Sequence, residues 1–313
     1  MSTSTPLPAT APMRPALRAA LIRGQGLATR RELLRDGVTQ QELEAAWRSQ
    51  VVVRVRHGLY ADPRIPPSVL RAARVGGPLA GPSALALAGA WQPHGSPLFV
   101  STRDNDHRLR DPDDAGRRLR RDDPAVVVLR DRRRLDPVTE RVVVTPATAV
   151  QQTVRELETA EAVAVLDSAV RSLGDRLDLG TLRTSSSRRL RDVIALVDPR
   201  AEAGTESVVR VRLHQAGIPA LPQARIAPGV RCDLLIGDRL VVECVSVEHH
   251  GDPEAYNRDR RRISDLVLRG YTVLEFSYPD VLFDWPRVLA TIEAAMWTSG
   301  IGKGEIPEVR RLR

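Results

Sequence analysis

The chain is almost without lysine. Of the 47 Lys and Arg residues among its 313, only Lys303 is a lysine. A GC-rich coding bias produces such a preference for arginine, so the preference itself carries no functional meaning. Aromatic residues make up only 4% of the chain, which leaves Leu, Val and Ala to build the core. The two cysteines, Cys232 and Cys244, are too few for a four-ligand zinc site. A disulfide between them is disfavoured in a reducing compartment, and both read as small buried strand residues. Long apolar runs are missing too. The most apolar stretch, Leu79 to Trp91, is interrupted by Gly and Pro and is too short to span a bilayer. The opening residues, MSTSTPLPATAPMRPALR, contain no apolar h-region of a secretory signal. The expected location is the cytoplasm, with no membrane partner.

What is present fits a folded chain of two or three domains, at roughly 100–200 residues per domain. Hydrophobic residues make up 42% and charged residues 27%. The formal charge is +8 with a pI near 10.5. That balance favours polyanion partners, because each neutralised phosphate releases a condensed counterion. DNA is one such polyanion, and the basic balance by itself does not separate specific from loose binding.

Residues 1–14 are rich in Pro, Ser and Thr and read as a disordered tail. A helix is expected from Pro15 to Arg23. Two capping boxes follow, Thr29-Arg-Arg-Glu32 and Thr39-Gln-Gln-Glu42, each opening a short helix, with Gly37 at the tight turn between them. VVVRVRHGLYA then reads as a hairpin bent at His57-Gly58. This order is that of a winged helix-turn-helix. Further on, an apolar helix is expected from Gly81 to Trp91, with strands at 98–100, 126–129 and 142–144. The charged stretch 103–123 mixes both signs and reads as a solvated loop. Two or three helices are expected between Thr148 and Val197, broken near Gly174 and Gly180. After a break at Pro199–Gly204 the pattern is helix (206–216), strands (231–236 and 240–246), helix (253–269), strand (271–276) and helix (285–296), a compact α/β unit.

The hairpin of this last unit carries the chemistry. Asp233 and Glu243 lie among Val and Leu, where a carboxylate is costly unless it is paired or binds a metal. Phosphodiester hydrolysis at neutral pH calls for a hard cation, and Mg²⁺ is usually held by one or two carboxylates plus waters and phosphate oxygens. Register is the test. A two-residue loop at Gly237-Asp238 would put the two carboxylates on opposite faces. A three-residue loop, Gly237 to Arg239, pairs position 233 with 243 and puts both on one face. The three-residue loop, or a bulge, is therefore expected.

The residues ESVVRVRLHQAGIP and CDLLIGDRLVVECVSVEHHGDPEAYNRDRRRISDLVLRGYTVLEFSYPDV resemble the Vsr-like endonuclease-domain group of the PD-(D/E)XK superfamily over about 95 residues, Glu202 to Met296. The family pattern has a Glu on an early helix, matched by Glu206, and an Asp on a strand, matched by Asp233. Its second strand reads E-x-D-G-x-x-H-H, matched at Glu243, His249 and His250. A D-x-x-R helix (Asp259, Arg262) and a G-Y-x-V strand (Gly270 to Val273) follow. The resemblance implies Mg²⁺-dependent DNA cleavage, with Asp233 and Glu243 on the metal and His249 or His250 as general acid or base. One departure is sharp. The family's Asp-Gly is Val245-Ser246 here, and valine can neither orient nor deprotonate a water.

GLATRRELLRDGVTQQEL followed by VRVRHGLY resembles the winged-helix domain of AbiEi-type antitoxins, with weaker likeness in PSALALAGA and VTPATAVQQTVRELE. This resemblance implies a partner toxin. The second helix would enter the major groove with Gln40 and Gln41 at the base edges. Arg30, Arg31, Arg48, Arg54 and Arg56 would hold phosphates. The expected architecture is thus an α/β multidomain chain: a winged helix-turn-helix at 15–65, a middle α/β region at 66–198, a restriction-endonuclease-like α/β domain at 199–300, and a tail at 301–313. Two readings follow: a metal-dependent DNA endonuclease, or a non-catalytic, antitoxin-like regulator on a degenerate nuclease fold.

Overall fold

The computed structural model describes residues 13–103, 107–131, 136, 138–184, 187–227, 229–245 and 253–309, with backbone alone at 253–259. Most of the expected tail 1–14 lies outside these residues. The chain divides into two compact units, residues 1–87 with 93–152, and residues 88–92 with 153–313. The expected middle region, 66–198, is thereby shared between the two.

In the first unit, α1 (Pro15–Arg23), α2 (Arg30–Arg35) and α3 (Gln40–Arg48) accompany an antiparallel sheet of β1 (Leu27–Thr29), β2 (Val53–Arg56) and β3 (Leu59–Ala61) in the order β1-β3-β2. Both expected capping boxes are formed. In each, the Thr hydroxyl accepts the N–H of the Glu three residues on, and that Glu reaches back to the Thr backbone N–H. Gly37 turns the chain between them at φ 86°, in the left-handed region that favours glycine. Leu17, Leu21, Leu33, Leu43 and Val52 form the small core beneath. Thr39→Ala should cost about 1 kcal/mol of stability, checked by urea denaturation, because it leaves an N-terminal N–H without its acceptor.

The rest of this unit consists of α4 (Pro67–Val75), the buried α5 (Gly81–Leu87) and the parallel pair β4 (Leu98–Arg103) and β5 (Val126–Asp131). Residues 142–144 do not form the expected strand. Among the described residues they pair only with Leu79, which donates to Val142 and accepts from Val144, while its neighbour Pro78 has no N–H with which to extend a ladder. Within the charged stretch expected as a solvated loop, the described residues 107–123 include one buried carboxylate. Asp111, 3% exposed, accepts the N–H groups of Asp113 and Asp114 and pairs with Arg117.

The helix α6 (Pro146–Glu156) runs across the division at 152–153. The second unit continues with α7 (Thr159–Leu173), a 3-10 turn at Gly174–Arg176, α8 (Leu179–Thr184) and α9 (Arg188–Ala195). These exceed the two or three helices expected, and Gly180 lies inside α8 rather than at a break. α7 is apolar on nearly every side and is correspondingly buried. It packs along α10 (Gly204–Gln215), to which the buried pair Asp167–Arg210 ties it at 2.9 Å.

α10 leads into a four-stranded sheet of β6 (Leu221–Ala227), β7 (Val230–Ile236), β8 (Leu240–Val245) and β9 (Thr272–Ser277), in sequence order. The first three strands are antiparallel. β9 joins β8 in parallel after the crossover helix α11 (Pro253–Leu268), and α12 (Tyr278–Phe283) and α13 (Trp285–Ser299) follow. β6 and α12 were not expected from the sequence. The expected tail at 301–313 is in part a packed strap. Ile301 is buried, Gly304 donates to the Gly217 carbonyl, and Glu308 donates to the Gly237 carbonyl. At Gly237, φ is 56°, and a Cβ there would lie 2.9 Å from the Ile301 side chain, so the hairpin loop requires glycine on both counts.

Candidate functional site

The ladder between β7 and β8 runs Ile236↔Leu240, Leu235↔Val241, Leu234↔Val242. Its loop therefore contains Gly237, Asp238 and Arg239, the three residues expected. Continuing the register by one step sets Asp233 against Glu243, and their carboxyls lie close enough to share a hydrogen bond. The Cys244 N–H donates to Asp233 Oδ2 at 2.8 Å. Glu206, on the first turn of α10, is 4% exposed and accepts the N–H groups of Glu202 (2.9 Å) and Ala203 (3.0 Å). Its pKa is pushed up to about 7, first by burial and then by the nearby charge of Asp233. Burial also raises both Asp233 and Glu243. Three acids from one helix and two strands thus gather, Glu206 and Glu243 buried and Asp233 half-buried.

Two neighbours of this cluster were not foreseen in these roles. Gln223 donates to Glu206 Oε2 at 2.9 Å from β6, with a backbone φ of 51° that is uncommon for a non-glycine residue. The alternation of Pro222, Ala224 and Ile226 with Gln223 and Arg225 is the sequence signal that marks this strand. Arg262, known from sequence only as a motif position, forks onto Glu243 at 2.6 and 3.1 Å and also donates to the Arg231 carbonyl at 2.9 Å. The fork opposes the effect of burial on Glu243. Val245 shares the face of Glu243, two residues on along β8. His249 and His250 lie outside the described residues, as does the side chain of Asp259.

By donor chemistry, Asp233 and Glu243 suit a hard, oxygen-seeking cation. Among the described residues no group of three His, Cys, Asp or Glu side chains is arranged to hold a metal. Both cysteines are free. Burial pushes the Cys232 thiol up to about 12 and raises Cys244 as well, which makes neither a nucleophile at neutral pH.

Of the residues expected to meet DNA, Arg30, Arg31, Gln40, Gln41, Arg48 and Arg54 are exposed. Arg30 Nε donates to Gln40 at 2.8 Å, Gln40 donates to Glu44 at 2.6 Å, and Arg48 approaches Glu44 at 3.3 Å, which links α2 to α3. Arg54 lies over the Trp47 ring, 5.5 Å from its centroid, and 3.1 Å from His57 Nδ1. A register shift between Arg54 and Arg56 separates these two, and Arg56 instead lines a cleft with Ser101, Thr102 and Arg103. Among the described residues no helix is long and apolar enough to cross a membrane.

No family model matches the chain. The chain is 27% identical over 271 residues to two uncharacterised proteins of Mycobacterium tuberculosis, MT2308 of strain CDC 1551 / Oshkosh and Rv2248 of strain ATCC 25618 / H37Rv. The match covers 82% of this chain and 96% of each relative. It is longer than either compact unit, so the likeness extends into both.

Proposed function

We propose that the chain is a DNA-binding protein whose C-terminal unit is a nuclease-type domain for metal-dependent phosphodiester hydrolysis. The observation that carries this reading is the meeting of Asp233 and Glu243 beside Glu206 in a buried setting. Burial makes gathered carboxyls expensive, and such sites are where function offsets the cost. Asp233 and Glu243 would hold Mg²⁺, which when bound lowers the pKa of water and offsets charge on the phosphate. Glu206, with a pKa near 7 and not needed as a metal ligand in this reading, would be suited to moving a proton at neutral pH. Arg262 keeps Glu243 neutralised in the resting chain and would turn its guanidinium to the DNA phosphate on engagement. In the N-terminal unit, α3 would read the major groove through Gln40 and Gln41, with Arg30, Arg31, Arg48 and Arg54 on phosphates.

The Arg262 fork on Glu243, together with Val245 on the same face, favours a second reading: an antitoxin-like regulator that binds DNA and a toxin protein without cutting. Plasmid incubated with the protein and Mg²⁺ or Mn²⁺ separates the two. The hydrolase reading expects cleavage that disappears in Asp233→Ala. Equal cleavage by both proteins, or none by the wild type while it still retards DNA, overturns it. DNA affinity should also fall steeply with salt, with a log–log slope of about −0.9 per phosphate contacted, and Arg48→Ala and Arg54→Ala should each flatten that slope by about 1. A slope near zero would contradict the phosphate role of the arginines.

A further inference from the structure

Gln223 meets the acid cluster in a way that folding alone does not explain. Its φ of 51° puts it in the left-handed region inside the edge strand β6. A side chain is strained there, and glycine is the ordinary occupant. Strain of this kind persists only where the surroundings hold it, and it concentrates at functional sites. The pairs Pro222↔Leu234 and Ala224↔Cys232 set Gln223 opposite Asp233, so the strained residue stands beside one of the two strand carboxyls.

Glu206 does not depend on Gln223 for its place. Its carboxyl already accepts the N–H groups of Glu202 and Ala203, just before its own helix. The dependence runs the other way. Gln223 Nε2 donates to Glu206 Oε2 at 2.9 Å, so the fixed carboxylate selects the end of the amide that faces it and turns the amide oxygen away. Among the described residues that oxygen has no hydrogen-bond partner, and Gln223 is half-buried, within reach of solvent. Glu206 Oε2 accepts both Glu202 and Gln223, whereas Oε1 accepts Ala203 alone among the described donors and has room for one more. Two acceptors, one neutral and one acidic, therefore lie side by side at the cluster. Phosphodiester hydrolysis needs a water held in line with the phosphorus. Val245, on the face of Glu243, offers no polar group for that task.

We propose that Gln223 positions the attacking water, its amide oxygen accepting one O–H while Glu206 Oε1 accepts the other, a role that rests on the nuclease-type reading of Asp233 and Glu243. The water oxygen bonds to phosphorus as the bond from phosphorus to the leaving strand oxygen breaks. One proton of the water passes to Glu206, and the leaving oxygen takes a proton from solvent. Gln223 neither gains nor loses a proton, so its part is orientation. The test is steady-state plasmid cleavage by the full chain with Mg²⁺, beside DNA retardation and thermal melting without metal. Gln223→Met keeps the length of the side chain and removes the amide. Its kcat should fall by about 100-fold, with KM and DNA affinity changed by less than about threefold. Gln223→Gly removes the strain together with the side chain. It should lose as much cleavage yet melt within about 3 °C of the wild type, since relief of strain offsets the lost hydrogen bond. Cleavage by both variants within about threefold of the wild type would overturn the role of Gln223 and leave the nuclease reading standing. So would a loss confined to KM, or a fall of more than about 10 °C in the melting of Gln223→Gly, which would make the residue a binding or a structural one. A wild type that retards DNA and does not cut it overturns the nuclease reading, and the role of Gln223 falls with it.

Discussion

Replacing Arg262 by alanine should destabilise the C-terminal unit by about 3 kcal/mol near pH 8, the lower end of what breaking a buried ion pair costs. The Glu243 side chain is 5% exposed and that of Arg262 36%, so the loss falls mainly on the carboxylate left in the interior. Glu243 then escapes part of the penalty by taking up a proton, and the loss should shrink to about 1 kcal/mol near pH 5, where only hydrogen bonds are forfeited. Urea denaturation of wild type, Arg262→Ala and the double variant Arg262→Ala/Glu243→Gln measures this. At pH 8 the double variant should recover much of the loss, because glutamine carries no charge to strand. Equal stability of wild type and Arg262→Ala at both pH values would show that the fork contributes nothing. The same variant bears on the proposed chemistry. With Arg262 gone, millimolar Mg²⁺ should stabilise the unit more than it stabilises the wild type, since ligand binding to the folded state adds to stability.

The second large effect is the pH dependence of the same unit. Glu206 has a folded pKa of about 7 against an ordinary value of 4.5, so the folded state binds more protons than the unfolded state between these values. Stability associated with this group is complete below about pH 4.5 and is lost as pH rises through about 7, an effect of about 3 kcal/mol. Asp233 and Glu243 are raised in the same direction and steepen the fall. The N-terminal unit carries the opposite sign at Glu32. The Arg141 fork holds that carboxyl at about 2, so its contribution is present above pH 4.5 and is lost only as pH falls toward 2. Urea midpoints at intervals from pH 5 to pH 8 should therefore decline for the C-terminal unit, and Glu206→Gln should flatten the decline. A rising midpoint over that interval would contradict the burial of these acids.

The sequence was most legible where local rules suffice. Thr29-x-x-Glu32 and Thr39-x-x-Glu42 marked two helix starts because a capping box involves only four consecutive residues. The loop Gly237–Arg239 followed from requiring two carboxylates on one face of a period-2 ladder. Legibility failed where a segment's state depends on distant partners. Val142–Val144 has strand composition, yet among the described residues Leu79 is all it pairs with. β6 contains Pro222, which a strand tolerates at a sheet edge, and only the tertiary structure places β6 at that edge. Ile301 looked like part of a tail, and its burial against Gly237 depends on a loop some sixty positions away.

The candidate site divides along the same line. Asp233 and Glu243 stood out by their apolar strand neighbours, and the pleat of the strands tied their meeting to a three-residue loop, whereas Glu206 was marked only by the family resemblance. What surrounds those carboxyls was decided only in three dimensions. Arg262 reaches Glu243 from the crossover helix, nineteen positions away in sequence, and Gln223 reaches Glu206 from β6. A carboxylate's charge state depends on its burial and on every donor within reach, and neither quantity is local in sequence. The order of residues therefore placed Asp233 and Glu243 on one face, and the tertiary structure decided their surroundings: burial and then the charge of Asp233 raise Glu206, burial raises Asp233 and Glu243, and an arginine already holds Glu243.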